Sequence, residues 1–560
     1  MFRFSYLLFI LIVIVPIIPG FGGVILSSLS YVPPLGMHNV SWLGYTQLWA
    51  WTGWIESLAL SFFSALTSTY LAAIFCFSIL QQLWTSRHWA KVEGLLSPLL
   101  AMPHVAFAIG FAFLFAPTGI IARLAFQWFG IEVDTQSSAW LVHDPYAIGL
   151  TLALALKETP FLLLMSLPIL QQLNLKRSQQ IAASLGYSPQ EAWLKIVFPQ
   201  WLKKMRFALF AVIAYGVSVV DVALILGPNN PPTLAVLVWQ WYNDPDLNLI
   251  PRASAGAVLL FLLASGLMLL VISIEKSLTR WWPTWQFSGR FGWKLPGSLI
   301  FSCAALLAGL MVPLFILWSV AQRWRFPDLL PSKLSLNFWQ FEWANIAPTL
   351  FNSLVLALIT ASISLGLGLI AQEYKAQRKH AIPDYLIALP MLIPQLSLLF
   401  GLQIASLYLS SDGYLVWVLW AHVFFAFPFV YLALDGPWQS YNQNFTNTSL
   451  SLGKSPVATF VTVKIRILLP ALLYAWAVGA SVSLAQYLPT LMLGGGRIAT
   501  MTTEAVALSS GFDRRVTAIY AILQAILPFL FFSAALFVNR LTQRKHSMSF
   551  KDNNLHDALT

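Results

Sequence analysis

Gly453-Lys454-Ser455 closes the stretch SLGKSP, Ser451 to Pro456, the way a phosphate-binding loop closes. Such a loop needs Gly-x4-Gly-Lys-Ser/Thr between a strand and a helix, so that backbone amides cradle the phosphates and the lysine reaches them. Thr448 stands where the first glycine belongs, and the preceding YNQNFTNTSL does not read as a strand. The same spelling recurs as SLGYSP, Ser184 to Pro189, with Tyr187 in place of the lysine. Nucleotide chemistry in this chain is therefore excluded, and what recurs is Leu-Gly-x-Ser-Pro.

Ionisable and polar groups inside long apolar stretches are the next candidates, because a charge in hydrocarbon is costly and is by default functional. ALALKETPF holds Lys157 and Glu158 beside Pro160. Adjacent helix residues do not face each other, so an ion pair between them is not implied; translocation and interhelical anchoring both stay open. SVVD runs from Ser218 to Asp221 ahead of Gly227, and SLAQ runs from Ser483 to Gln486 ahead of Gly494. Pathway lining and hydrogen bonding to neighbouring helices both fit these four. His104 and Gln395 each follow a proline and form a further pair, lining the same cavity or satisfied within packing. No grouping of His, Cys and carboxylate has metal-ligand spacing and no catalytic constellation appears. The chain is expected to hold no metal or cofactor and to catalyse no reaction.

These residues need elements long enough to carry them through a bilayer. Of 560 residues, 58% are hydrophobic and only 9% charged, against about 25% charged in soluble domains. A crossing helix takes about 20 mainly apolar residues. Twelve such spans are predicted, near 5–28, 54–83, 93–116, 146–170, 207–227, 253–275, 298–320, 350–371, 385–410, 415–434, 470–493 and 516–538, giving an all-α polytopic membrane protein. With a cytoplasmic N-terminus, the inner segments hold 23 of the 32 Lys and Arg and the outer ones eight, Lys157 lying within a span. That bias is expected to place both termini in the cytoplasm. It also explains the net charge of +11 as topology, without nucleic acid. The apolar N-terminus continues past Pro19 with no A-x-A-like site, so it is expected to stay as the first span rather than leave as a signal peptide. Cys76 and Cys303 sit in apolar runs and are expected to pack as small residues.

The chain reads as made twice, 1–285 and 286–560, six spans each. ESLAL from Glu56 is matched by NSLVL from Asn352, and MPHVAFAIG from Met102 by IPQLSLLFG from Ile393, each with Gly seven residues after Pro. The connector KSLTRWWPTWQFSGRFGWKLPG, Lys276 to Gly297, is basic and tryptophan-rich and suits a cytoplasmic interface. Only the first half carries the outer insertion 116–145, which reads either as a mobile extension or as an asymmetric docking rim.

The repeated loop follows the fourth span of each half, as SQQIAASLGYSPQEAWLKIVFPQ (178–200) and NTSLSLGKSPVATFVTVKIRILLP (447–470). Gly186 and Gly453 can end one helix with positive φ. Ser188 and Ser455 are placed as N-caps, Pro189 and Pro456 as first helical residues. Glu191 completes a capping box with Ser188. Seven residues past each glycine comes an aromatic, Trp193 or Phe460, and three later Ile196 or Val463, so a short helix with an apolar knob is expected to lie on the membrane or plug into a soluble partner.

The first loop resembles the EAA loop of type I ABC importer permeases, Glu-Ala-Ala-x3-Gly-x9-Ile-x-Leu-Pro: Ala182, Gly186, Ile196 and Pro199 match, with Ala183 beside them. Gln180, Ile181 and Phe198 depart from the pattern. The second copy keeps Gly453 and has Val463 at the isoleucine position, but Arg466 replaces the proline and Pro470 follows one turn later, which leaves the end of that helix open. The chain is similar to fused permeases of the ferric iron, thiamine and polyamine class. The resemblance implies that these loops dock two copies of a cytoplasmic ATPase, which bind the ATP and Mg. It also implies a periplasmic or lipid-anchored binding protein that chooses the substrate, and a pathway lined by the fifth span. The alternative is an ion-gradient-driven transporter with six-plus-six topology.

Overall fold

The computed structural model describes residues 2–131, 140–377, 381–409, 412–511 and 513–557. Arg378 and Lys379 of the basic count, and residues 132–139 of the outer insertion, lie outside these. The described residues are almost wholly helical, since backbone groups in hydrocarbon must be bonded within their own segment. The strands among them form one short hairpin, Ala321–Arg323 with Lys333–Leu334. Among the described residues, ten helices are long and apolar enough to cross a membrane. The predicted spans 207–227 and 385–410 instead fall on shorter pieces, chiefly Arg206–Ser218 and Gln395–Leu407.

Four predicted spans are interrupted where the helices break. The span expected at 93–116 stops at Ala101 and restarts at His104, and the long apolar stretch is His104–Phe129. Pro103 drives Met102 to extended backbone (ψ 120°), as a residue before proline must be. Ile393 before Pro394 does the same (ψ 134°). The span expected at 207–227 breaks at Val219 (ψ 121°) before Asp221–Leu226. In the one expected at 470–493, the helix ends at Leu484 and restarts at Leu488.

The repeated glycines have a packing reason. Ile17–Ser28 lies against Gln395–Leu407, while Gly297–Val320 lies against His104–Phe115, so the first helix of each sequence half packs on the other half. A Cβ on Gly401 would sit 1.6 Å from the Gly20 carbonyl oxygen, and one on Gly23 would sit 2.6 Å from that of Gly401. At the matching Gly110 a Cβ would meet Met311 Cγ at 2.6 Å. Helices in lipid gain little from apolar burial and associate through such close backbone approach. The N-terminal stretch is built into this bundle: Tyr6 stacks on Tyr374 at 3.7 Å and accepts from the Ile382 amide at 2.8 Å.

The described part of the outer insertion is packed rather than extended. Arg123 on Ile120–Phe129 is buried and donates to the carbonyls of Thr118, Arg325 and Asp328. Its guanidinium lies 5.1 Å from the Trp324 ring centre. Arg514 donates to Thr118 Oγ1 at 2.6 Å. The insertion is thus stitched to the hairpin segment of the other half.

Gly22 and Gly23 give a matched test, because a Cβ on Gly22 meets nothing within 4 Å. Gly23→Val is expected to destabilise the purified protein by about 1–3 kcal/mol, the usual cost of overpacking, and Gly22→Val to leave it unchanged. Thermal unfolding in detergent, read side by side, checks this; equal midpoints for the two variants would refute the close contact.

Candidate functional site

The two Leu-Gly-x-Ser-Pro loops adopt one geometry. Gly186 and Gly453 have φ of +80° and +83°. The Glu191 amide donates to Ser188 Oγ at 3.3 Å and the Ser188 amide to Glu191 Oε2 at 2.6 Å. In the second copy the Ala458 amide donates to Ser455 Oγ at 3.2 Å. Pro189 and Pro456 open the new helices, Pro189–Ala192 and Pro456–Thr459, and each passes into one π-turn, Trp193–Val197 and Phe460–Lys464. No residue signalled the π-turns in advance. The helices then diverge. The first continues as Phe198–Lys204 and breaks at Met205, whereas the second runs through Ile465–Leu484 with Pro470 inside it. The open end of the second loop helix is therefore the end of the following span.

The aromatic knob is corrected by burial. Trp193 is 2% exposed and its ring stands edge-on to Phe77 at 5.9 Å, in a cluster where Phe77 also meets Phe198 (5.1 Å) and Trp201 (5.3 Å). Phe460 is partly buried, 6.4 Å from Trp438. Ile196 and Val463 are partly buried, and Ala182 and Pro199 are buried. The helix is one-sided, and its aromatic stripe faces the bundle because the capped end already faces outward. Ala183 and Gly186 are exposed, and Ser455 and Pro456 likewise. The apolar residues that do face out are Ile181, Leu185, Leu452 (78% exposed), Val457 (73%) and Val461. Their signal in the sequence was weak: large aliphatics next to a helix-ending glycine.

The loops are fastened to the bundle differently. Phe77 and Glu373 each lie 21 residues past the matched Glu56 and Asn352. Phe77 holds the first loop through aromatic contacts, while Glu373 Oε2 accepts from the buried Lys464 at 2.6 Å. The first loop is also covered by the connector between the halves. Lys195, buried, donates to the Ser288 carbonyl at 2.7 Å and to that of Gly289. Pro199 leaves the Lys195 carbonyl without its helical donor, and Gln286 Nε2 supplies one at 2.9 Å.

The polar candidates gather at the helix breaks. His104 begins the helix after the Pro103 break, partly exposed, with Nε2 2.9 Å from Glu158 Oε1. Lys157 is buried and its ammonium donates to the carbonyls of Leu99 (3.0 Å) and Leu100 (3.4 Å). Two adjacent residues thus clamp one break from both sides, the cation on the C-terminal carbonyls and the anion beyond the N-terminal end, each the favourable sign for its helix end. Lys157 is therefore an interhelical anchor in this geometry. Asp221, partly exposed, accepts from the Val222 amide at 2.9 Å, and the His104 and Tyr215 rings lie 4.7 Å apart. Ser218 is turned back onto the Ala214 carbonyl at 2.8 Å.

In the second half the same places are neutral. Gln395, partly exposed, starts its helix after Pro394. Gln486 is 6% exposed, donates to the His422 carbonyl at 3.1 Å, and its Oε1 accepts no hydrogen bond among the described residues. His422, which the sequence reading missed, is fully buried between Ser483 Oγ and Thr490 Oγ1, each at 2.8 Å. The Thr490 hydroxyl spends its proton on the Gln486 carbonyl (2.8 Å), so His422 Nε2 donates to Thr490 while Nδ1 pairs with Ser483. Both ring nitrogens are used. A separate cavity of about 450 Å³ touches Lys157 but is walled by Leu99, Phe107, Phe301, Val312 and Phe529. Its apolar lining does not suit a polar pathway.

No protein-family model matches the chain. It is 33% identical over 474 residues to the inner membrane ABC transporter permease protein YnjC of Escherichia coli K12, covering 84% of this chain and 86% of that one. It is 27% identical over 177 residues to the spermidine/putrescine transport system permease protein PotC homolog of Mycoplasma pneumoniae, over 30% of this chain and 61% of that one. The corresponding protein of Mycoplasma genitalium is 26% identical over 188 residues, 32% of this chain and 65% of that one. On the first of these matches, the chain belongs to the ABC transporter permeases of the bacterial inner membrane.

Proposed function

We infer that the chain is the membrane subunit of an ATP-driven importer. Two cytoplasmic ATPase subunits dock on loops 178–200 and 447–470, ATP and Mg residing in them. A periplasmic or lipid-anchored binding protein delivers solute at the opposite face, and both termini of this chain are cytoplasmic. Solute passes between the four helix breaks, where His104, Asp221, Gln395 and Gln486 stand.

One observation carries this reading: the chain that leaves each docking loop leads to a polar break, across one interruption at Met205 in the first copy and without interruption in the second. The first loop leads through Arg206–Ser218 to Asp221, and the second runs unbroken from Pro456 to Leu484, two residues before Gln486. At 1.5 Å per residue the second is a rod roughly 40 Å long. A push on the capped loop moves the break at the far end, because the loop is fastened by buried Trp193 on one side and by the Lys464–Glu373 pair on the other. ATPase closure would draw the two loops together and reshape the polar centre. The centre presents carboxylates at Asp221 and Glu158 on one side and the amides of Gln395 and Gln486 on the other, which favours a cationic solute; the polyamine names of the two partial relatives agree with that sign.

Val457→Asp on the second loop is expected to lower binding-protein-stimulated ATPase activity of the reconstituted complex at least about tenfold, the effect of ~1.4 kcal/mol, with an unchanged thermal midpoint. Trp193→Ala should do the opposite first, lowering stability by about 3–5 kcal/mol as a buried aromatic truncation does. Full stimulation in Val457→Asp would refute the docking assignment. For the pathway, Asp221→Asn should leave ATPase stimulation by the binding protein intact while uptake of the carried solute into proteoliposomes falls by roughly tenfold or more, since one desolvated charge is worth several kcal/mol. Wild-type uptake in that variant would remove Asp221 from the pathway.

A further inference from the structure

The connector between the halves does more than join them. Lys276 to Gly297 contains four basic residues, Lys276, Arg280, Arg290 and Lys294, and no acidic one. All four are exposed, and none makes an ion pair among the described residues. Trp281 (59% exposed), Trp282 (71%) and Trp293 (70%) are exposed beside them. Both ends are pinned where spanning helices emerge, the stretch Leu247–Trp281 on one side and Gly297–Val320 on the other. Exposed tryptophans among unpaired cations, at a helix exit, match the chemistry of an anionic lipid surface: rings at headgroup depth and cations against phosphates. A soluble partner would have to supply the missing acidic charge and find the same ring positions away from the helix ends.

The middle of the connector meanwhile grips the first loop. Besides the contacts of Lys195 and Gln286, Arg290 donates to the Leu185 carbonyl at 2.9 Å and lies 5.5 Å from the Tyr187 ring centre. Gly292 is so close to the capping box that a Cβ there would meet the Glu191 amide nitrogen at 2.6 Å. Toward the membrane, Gln81 clasps the connector from the Trp54–Leu83 helix, donating to the Trp293 carbonyl and accepting from the Leu295 amide, both at 2.9 Å. The second loop has no such strap among the described residues.

We propose that Lys276–Gly297 is a binding surface for anionic phospholipid headgroups of the leaflet facing the ATPases, and that the bound lipid holds the strap against the first docking loop. The lipid contact stands on the connector alone; its effect on coupling rests on the docking reading above. The full complex with its ATPase, carrying benzoylphenylalanine in place of Trp282, is reconstituted into nanodiscs of phosphatidylcholine with or without phosphatidylglycerol and irradiated. Mass spectrometry should find cross-links to phosphatidylglycerol, and their excess over phosphatidylcholine cross-links should fall on the order of fivefold for each of Lys276→Gln, Arg280→Gln and Lys294→Gln. Cross-links chiefly to the ATPase subunit, or equal labelling of both lipids, would overturn the lipid assignment. ATPase activity on the same discs reads the coupling: phosphatidylglycerol should stimulate the wild type and not the triple glutamine variant. Lipid cross-links with ATPase activity indifferent to phosphatidylglycerol would overturn the strap's control of the loop while leaving the lipid surface. Loss of binding-protein stimulation in every lipid would instead count against the docking reading.

Discussion

Every backbone amide and carbonyl inside a bilayer must find a partner within the protein, and the architecture here follows from where that rule is bent. Helices break at Met102–Pro103, Val219–Val220, Ile393–Pro394 and Ala485–Tyr487. Each break frees polar groups that lipid could not satisfy, so each has to be buried in the bundle and dressed with side chains. Lys157 and Glu158 dress the first, and the His422, Ser483, Thr490 and Gln486 network dresses the last. Thr502 donates to the Leu484 carbonyl and accepts from Gln524 at 2.9 Å, extending that network to the final helix. Polar residues in this protein are thus explained first by broken backbone. After that accounting the Gln486 amide oxygen still accepts no hydrogen bond among the described residues, and the Asp221 carboxylate is held by the Val222 amide.

The two halves hold the breaks in place by exchanging their first helices. Gly20, Gly23 and Gly401 bring backbones together on one side, and Gly110 receives Met311 on the other. A side chain at any of these would push the wrapping helix away from the helix that starts at the proline break. The Pro-x6-Gly spelling therefore combines two demands on one element: the proline opens a break, and two turns later the glycine lets a clamp close over it.

Much of this was legible in the residues. The solvent, the helical class, the repeated loop with its glycine, cap and proline, and the positions of the polar pairs all follow from composition and local stereochemistry. The breaks were half-legible: Pro103 and Pro394 mark two, but Val219–Val220 and Ala485–Tyr487 carry no proline at the break itself, and an apolar run looks the same whether its helix is whole or interrupted. The direction of Trp193 was read backwards, because spacing from the glycine places it on a face without saying which face meets the bundle. His422 carries no signal in the sequence, since its partners are 61 and 68 residues away. The ion-gradient alternative rested on six-plus-six topology, which an ABC permease shares, and similarity along most of the chain to a known permease was needed to separate them.

The halves have diverged in a consistent direction. On the first side the loop is fixed by aromatic packing and strapped by the connector, and its break carries Lys157, Glu158, His104 and Asp221. On the second side the loop is fixed by one buried ion pair, its outward aliphatics are uncovered, and its break is built from amides, hydroxyls and an imidazole bonded at both nitrogens. Carrying both breaks on one chain permits this. Two separate identical subunits would have to place the same charges on both sides of the axis, and two like-charged breaks facing each other in a low dielectric would repel strongly. A single chain can keep the carboxylates on one side only and build the other from amides and hydroxyls. The connector that makes the fusion then lies on the charged half's loop alone, so the side that carries the ionisable groups is also the side whose movement the connector constrains.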